Sequence, residues 1–219
     1  MKKRNQKNFG ITVCLLVTFV LWTAAISCLD VKPIGPDGSV VGFATLNGFF
    51  HNLTGVHMLL YTITDWLGLV PLCFVLGFAV LGFLQMIKRR SLLKVDYSIL
   101  VLGGFYIIVM ASYVFFEVFV INYRPVLIEG YLEASYPSST TLLVMCVMPT
   151  AMMQFHERIR SGMLRKSIDC VLIAFTGFMV VGRLLSGVHW LTDIVGGALL
   201  SAGLIMLYYS VENIKLQKG

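Results

Sequence analysis

The chain has 219 residues, of which 58% are hydrophobic and 13% are charged, and its formal net charge is +6. A soluble domain has about 25% charged residues, so this composition excludes an ordinary water-soluble domain and indicates a membrane protein. The basic residues flank apolar stretches and form no separate patch, which argues against a nucleic-acid-binding surface.

Hydrophobic stretches of about 20 residues are long enough to cross a bilayer. The sequence contains six of them, of which the fourth is the shortest, at about 9–29, 66–87, 97–121, 140–155, 167–186 and 190–210. No remaining segment is long or polar enough to form a soluble domain. The predicted fold is therefore all-α, a single membrane domain over residues 1–219 with six transmembrane helices.

The lysines and arginines predict how these helices are oriented. Four precede the first stretch, four follow the second, four follow the fourth and two end the chain, so 14 of the 17 fall on one side of a six-span topology. The positive-inside rule makes this side cytoplasmic. A signal peptide that ends near "AISC" (25–28) is an alternative for the first stretch, but the apolar run is long enough to stay in the membrane. We expect an integral, multi-pass protein of the plasma membrane with both termini in the cytoplasm.

The segment 33–62 is neither a full span nor a polar loop, and its apolar residues recur at helical spacing from Phe43. This pattern is typical of a helix that lies at the outer interface of the membrane. His51 and His57 are interpreted as interfacial polar groups, because no acidic or cysteine partner stands at a metal-ligand spacing. Asp65 resembles a helix cap at the start of the second span.

Four polar groups fall near the outer ends of spans three to six. They are Arg124 after span three, the hydroxyl residues that open span four, and Arg183 and His189 around the turn between spans five and six. The six-span topology alone brings these groups to one side of the membrane. An ionisable residue at membrane depth is costly, so this concentration predicts a functional site.

These residue types suit phosphate chemistry. The guanidinium group of an arginine such as Arg124 or Arg183 can donate two parallel hydrogen bonds to two oxygens of one phosphate. The start of span four, "PSSTT", can bind an anion through free backbone N–H groups, although ordinary helix capping explains the same residues. His189 and Asp193 are four residues apart, so on a helix they share one face. A carboxylate there can hold one ring proton and leave the other ring nitrogen free to attack phosphorus, or the two groups can simply satisfy each other.

Three motifs resemble the signatures of the type-2 phosphatidic acid phosphatases, a family of lipid phosphate phosphatases. "GRLLSGVHWLTD" (182–193) is similar to Ser-Arg-x5-His-x3-Asp with Gly182 in place of serine, "YPSSTT" (136–141) to Pro-Ser-Gly-His, and "EVFVINYRP" (117–125) to Lys-x6-Arg-Pro. The resemblance implies a metal-independent phosphatase with a phosphohistidine intermediate and no cofactor. It assigns His189 as the nucleophile, Asp193 as the residue that orients it, Arg124 and Arg183 as phosphate ligands, and Ser138 as a further phosphate contact.

Besides Gly182, the chain departs from these signatures at three positions. Glu117 stands where the family has a phosphate-binding lysine, Ser139 replaces glycine, and Thr140 replaces the histidine that protonates the leaving group. A threonine cannot deliver a proton near neutral pH. Glu117 lies seven residues before Arg124, two helical turns, so it is either an ion-pair partner or, if protonated, a modulating acid.

The function predicted from these motifs is hydrolysis of a lipid phosphate or diphosphate at the outer face, with a polyprenyl diphosphate favoured. The phosphate-binding set comprises Arg124, Arg183, Ser138, Ser139 and Thr140. The alternatives are a non-catalytic relative that binds lipid phosphates and a phosphotransferase that uses the same histidine. The expected partners are the lipid substrate and the bilayer, with no nucleic acid and no metal.

Overall fold

The computed structural model describes residues 2–215, with side chains from residue 5 to residue 214, and it is almost wholly helical. Eight α-helices run in chain order as α1 (Lys2–Cys28), α2 (Ala44–Thr54), α3 (Met58–Leu67), α4 (Leu69–Arg89), α5 (Tyr97–Val118), α6 (Ser139–Arg158), α7 (Gly162–Leu185) and α8 (Leu191–Lys215). The described part of the chain contains isolated β-bridges but no β-strand. The predicted all-α fold is confirmed.

Five helical stretches are long and apolar enough to cross a membrane: Asn5–Cys28, Met58–Arg89, Tyr97–Val118, Gly162–Leu185 and Leu191–Ile214. Together they bear out an integral, multi-pass membrane protein. The predicted fourth span, 140–155, corresponds to α6, which is not among the five. Polar residues such as Thr150 and Gln154 lower its hydropathy, and both are fully buried inside the bundle. A sixth span at α6 therefore stays a prediction.

The second apolar stretch begins earlier than the sequence indicated. The prediction began that span near residue 66 and assigned residues up to 62 to an interfacial segment, whereas α3 starts at Met58 and continues into α4. The two helices meet at Gly68, whose φ of −60° and ψ of −17° are helical. Since no residue at the junction breaks the helix, Met58–Arg89 forms one long apolar stretch. Only α2 and the links on either side of it lie between the first two spans.

Helix α6 is the centre of the bundle and packs against α4, α5, α7 and α8. Many of its apolar side chains are almost completely buried, among them Leu142, Val144, Val147 and Met148. Large apolar side chains of α1 and α4, such as Leu21 and Leu76, are instead exposed on the outside. This distribution is the one expected of a bundle surrounded by lipid.

The two ends of the bundle differ in composition. At one end Arg89 pairs with Asp96 at 2.8 Å, and Arg158 reaches Ser98 at the start of α5. The described basic residues after α4 and α6 lie at this end. The opposite end carries the loop 119–138 between α5 and α6 and the short turn between α7 and α8. The candidate site lies among these elements.

The loop 119–138 is held in place by backbone hydrogen bonds. The Arg124 N–H donates to the Glu133 carbonyl at 3.0 Å, and the Ser135 N–H donates to the Asn122 carbonyl at 2.9 Å. Beyond them, the Ser138 N–H donates to the carbonyl of Asp193 at 3.1 Å. The two arms of the loop therefore lie side by side, and its end is attached to the first turn of α8.

Candidate active site

A polar cavity of about 600 Å³ opens at the end of the bundle opposite the Arg89–Asp96 pair. Its wall comes from α3, the end of α5, the loop 119–138, the start of α6 and the end of α7. The ionisable side chains that line it are Tyr61, Asp65, Tyr113, Glu117, Tyr123, Arg124, Glu133 and Arg183. A smaller adjoining cavity shares Glu117 and Ser139 with it and is also lined by Ser135 and His189. A groove of about 670 Å³ between α4 and α5 has no acidic, basic or histidine side chain.

Arg183, on the last turn of α7, is 2% exposed, and only one of its three guanidinium nitrogens, Nη2, makes hydrogen bonds to described residues. Its Nη2 donates to Asp65 Oδ1 and to Thr140 Oγ1, each at 2.7 Å. The guanidinium carbon lies 4.9 Å from the centre of the Tyr61 ring, which supports it by a cation–π contact. Its Nε and Nη1 are buried, and neither has a hydrogen-bond partner among the described residues. Leaving buried donors unpaired costs free energy, so these two N–H groups are suited to donate hydrogen bonds to the oxygens of an anion.

Arg124 approaches the same cavity from the loop. Its Nε lies 3.0 Å from Glu133 Oε2, and its Nη1 lies 3.4 Å from His189 Nε2. Its guanidinium carbon is 5.8 Å from the centre of the Tyr61 ring, so both arginines approach the same tyrosine. The paired arms of the loop fix the backbone at Arg124. The guanidinium thereby lines the cavity and also approaches the imidazole.

His189 is 4% exposed and lies in the turn between α7 and α8. Its Nδ1 lies 3.0 Å from Ser135 Oγ and 3.9 Å from Asp193 Oδ2. Burial is the main cause that lowers the pKa of His189 to about 4; Asp193 opposes this shift, and the Arg124 charge adds to it. At pH 7 the imidazole is therefore neutral and has one nitrogen with a free electron pair.

The sequence placed His189 and Asp193 on one face of a helix, but α8 begins at Leu191 and His189 precedes it. Helical spacing therefore does not apply to this pair, and Ser135 lies between the two side chains. Ser135 Oγ donates to Asp193 Oδ2 at 2.5 Å. The same carboxylate accepts the Trp190 backbone N–H at 2.9 Å and an amide N–H of Asn122 at 3.3 Å. Three donors thus compensate the burial of this carboxylate.

The hydroxyl residues at the start of α6 have different surroundings. Ser138 is the N-cap, and its Oγ accepts the Thr141 backbone N–H at 3.5 Å, so ordinary helix capping describes Ser138. Ser139 lines both cavities. Thr140 accepts a hydrogen bond from Arg183, which places its hydroxyl beside the guanidinium. The structure thus brings Ser139, Thr140 and both arginines to one cavity, whereas Ser138 is fully buried.

Glu117 lines both cavities but makes no hydrogen bond or ion pair within residues 2–215. The predicted pairing with Arg124 assumed a helix that includes both residues. Helix α5 ends at Val118, so Arg124 lies beyond it and the spacing of two turns does not apply. Arg124 is paired with Glu133 instead. The described residues thus show no ion pair between Glu117 and Arg124, and the role of Glu117 as a modulating acid stays a prediction.

Asp65, Glu133, Ser135 and Asn122 were not among the sequence-predicted site residues. Asp65 was interpreted as a helix cap, but it lies in the last turn of α3, and its carboxylate is 2.7 Å from Arg183 Nη2. Its register on one helix with Tyr61, four residues earlier, was a signal that could have indicated a shared face. The other three lie in or near the loop 119–138, where no periodicity indicates which side chains turn inward.

Gly182, the serine position of the third motif, lies where α7 approaches α3. A Cβ atom at this position would lie 2.8 Å from Thr64 Cγ2. The side chain of Thr64 is fully buried, so this close approach leaves no room for a serine without rearrangement. Glycine at position 182 thus allows α3 to pack closely against α7, and the same helix α3 places Asp65 beside Arg183.

Three comparisons relate the chain to known proteins. The model of the PAP2 superfamily matches residues 39–216. The fold is similar to the crystal structure of a transmembrane PAP2-type phosphatidylglycerolphosphate phosphatase from Bacillus subtilis, with 16% sequence identity and a TM-score of 0.61 over 92% of this chain and 96% of that one. No curated protein sequence gives a significant match. The superfamily match covers most of the chain and confirms the predicted family: the chain is a member of the PAP2 superfamily.

Proposed function

We propose that the protein is an integral membrane phosphatase that hydrolyses a lipid phosphate or diphosphate through a phosphohistidine at His189. The observation that carries the proposal is the arrangement at Arg183, whose Nε and Nη1 are buried without partners beside the polar cavity. A phosphate group offers oxygens in the geometry that these N–H groups require. Arg124 Nη1, 3.4 Å from His189 Nε2, would bring a second positive charge to the same phosphate.

The proposed reaction has two steps. The free electron pair of His189 Nε2 attacks phosphorus, an N–P bond forms, and the bond from phosphorus to the leaving oxygen breaks with its electron pair on that oxygen. Water then attacks phosphorus, the N–P bond breaks, and the electron pair returns to Nε2 while inorganic phosphate leaves. Arg124 and Arg183 stabilise the negative charge of the phosphoryl oxygens in both steps.

The proposed substrate preference follows from the leaving group. A phosphate monoester expels an alkoxide that needs a proton, whereas a diphosphate expels a phosphate whose second pKa is about 6. Thr140 cannot supply that proton, and its hydroxyl accepts a hydrogen bond from Arg183. We therefore favour a polyprenyl diphosphate or a similar lipid diphosphate over phosphatidic acid.

The proposed topology has six spans, with α6 as the fourth, both termini in the cytoplasm and the site at the outer end. The support is the grouping of basic residues beside the chain start, after α4, after α6 and at the C-terminus. Of these, Lys218 lies outside the described residues. In this topology the lipid reaches the site from the outer leaflet of the plasma membrane.

The test is a phosphate-release assay on purified protein in lipid nanodiscs, with a polyprenyl diphosphate and phosphatidic acid as substrates. We expect release with the diphosphate and an acid-labile, base-stable phosphate on the protein during turnover, both lost in His189→Ala. His156→Ala, which removes a histidine at the opposite end of the bundle beside Asp169, should keep wild-type activity. Full activity of His189→Ala would refute the proposal, and transfer of the label to a second lipid would identify a phosphotransferase instead.

A further inference from the structure

The imidazole of His189 is held at Nδ1 by a hydroxyl group and not by the carboxylate. Ser135 Oγ is 3.0 Å from Nδ1, whereas the nearest carboxylate oxygen of Asp193 is 3.9 Å away, too far for a hydrogen bond. Ser135 is 3% exposed, so water does not compete for these contacts. The side chain that contacts Nδ1 therefore belongs to a loop residue outside the three sequence motifs.

The number of protons in this chain of contacts determines the tautomer. A serine hydroxyl has one hydrogen, and Ser135 donates it to Asp193 Oδ2 at 2.5 Å. Its oxygen can then only accept from the ring, so Nδ1 carries the proton. On the other side of the ring, Arg124 has N–H donors and no acceptor, so Nε2 must supply the electron pair that faces it. Both contacts require the same Nδ1–H tautomer.

We propose that Ser135 is a positioning residue that holds His189 in the tautomer and orientation in which Nε2 faces the substrate phosphate. The inference rests on the proposed function for its catalytic consequence. When Nε2 bonds to phosphorus, the ring becomes positively charged and keeps its Nδ1 proton. The hydrogen bond to Ser135 then strengthens, and the negative charge of Asp193 acts through the same hydroxyl. Other charges near the ring are those of Arg124 and Arg183.

The surrounding backbone keeps Ser135 in this position. Its own N–H donates to the Asn122 carbonyl, and the side chain of Asn122 donates to Asp193 Oδ1 at 3.3 Å. The next residue, Tyr136, is 1% exposed and its hydroxyl lies 2.7 Å from Thr23 Oγ1 on α1. The loop is thus attached to both α1 and α8 around Ser135. Such a fixed neighbour is what an orienting residue requires.

The experiment compares Ser135→Ala with Ser201→Ala, which removes an equally buried serine hydroxyl from the middle of α8, away from the site. The first measurement is the ¹⁵N NMR spectrum of histidine-labelled protein in detergent micelles without substrate. The chain has four histidines, so the His189 signals are identified by their loss in His189→Asn. We expect the pure Nδ1–H tautomer in the wild type and in Ser201→Ala, and a mixture of tautomers in Ser135→Ala.

The second measurement is the rate of diphosphate hydrolysis. Outer-shell groups that orient metal-ligating histidines are typically worth about 10- to 100-fold, and we expect a loss of this size in kcat of Ser135→Ala with KM changed by less than about threefold. Ser135→Thr keeps the hydroxyl and should restore both the tautomer and most of kcat. Ser201→Ala should have wild-type kcat.

Two results would overturn the proposal: a wild-type tautomer ratio in Ser135→Ala, or equal losses of kcat in Ser135→Ala and Ser201→Ala. Absence of activity with every lipid phosphate would refute the proposed function but not this inference. In that case the tautomer of His189 in the wild type and in Ser135→Ala still decides it.

Discussion

Acidification should destabilise the folded protein through His189. Burial lowers the pKa of His189 to about 4 in the folded state, whereas an unfolded histidine has a pKa of about 6.5. Above pH 6.5 the residue is neutral in both states and contributes nothing to the pH dependence. As the pH falls from 6.5 to 4, the unfolded state binds a proton that the folded state does not, so the free energy of unfolding decreases. Linkage gives a loss of about 2–3 kcal/mol between pH 7.5 and pH 4.5.

The assay is reversible unfolding of the purified protein by SDS in mixed micelles at both pH values. Carboxylates also titrate in this range, so the relevant quantity is the difference between the wild type and His189→Asn. We expect the wild type to lose about 2–3 kcal/mol more than the variant on acidification. Equal losses in the two proteins, or a larger loss in the variant, would show that His189 is not held neutral by burial.

Three further predictions concern the substrate, the topology and the turn before His189. Thr140→His should raise cleavage of phosphatidic acid more than cleavage of a diphosphate, because a general acid is worth about 10²- to 10⁴-fold; equal gains would contradict the proposed preference. In a cysteine-free background, an impermeant thiol reagent added outside cells should label Tyr131→Cys and not Met163→Cys, two exposed positions at opposite ends, and the reverse result would invert the topology. Gly187→Ala should lower the free energy of unfolding by more than about 1 kcal/mol, because Gly187 has φ +68° and its Cβ would run into a backbone carbonyl oxygen. Its control, Gly177→Ala in α7, has free space and should be neutral or stabilising.

The features of the fold that hydropathy determines could be predicted from the sequence. Five of the predicted stretches match apolar helices because lipid-facing helices need long apolar runs, which are visible in one dimension. Helix α6 differs because its neighbours, and not lipid, surround it, so Gln154 and Thr150 are tolerated and the apolar signal weakens. The second stretch begins at Met58 and not near residue 66, because Gly68 keeps helical φ and ψ angles and the apolar helix extends across it.

Predicting the contacts within the site required the exact ends of the helices, and the sequence does not define these ends to within one or two residues. Two inferences relied on helical spacing across such an end: Glu117 with Arg124 beyond Val118, and His189 with Asp193 before Leu191. In both pairs one residue lies outside the helix, so helical spacing does not describe how the two side chains meet. Ser135 and Glu133 reach the site through a β-bridge between Tyr123 and Ala134, a long-range contact with no local signal.

The position of α6 at the centre of the bundle has a consequence for how the protein is made. In the proposed topology α6 leaves the ribosome before α7 and α8, the helices against which much of its buried surface packs. Until these arrive, Gln154 has neither water nor its hydrogen-bond partners Tyr208 and Glu212 of α8, and the bilayer alone does not satisfy such a polar group. We therefore expect the translocation machinery or α4 and α5 to hold α6 until the last two helices are inserted. A substitution that delays insertion of α7 or α8 would then expose α6 to membrane quality control, even when it lies far from His189.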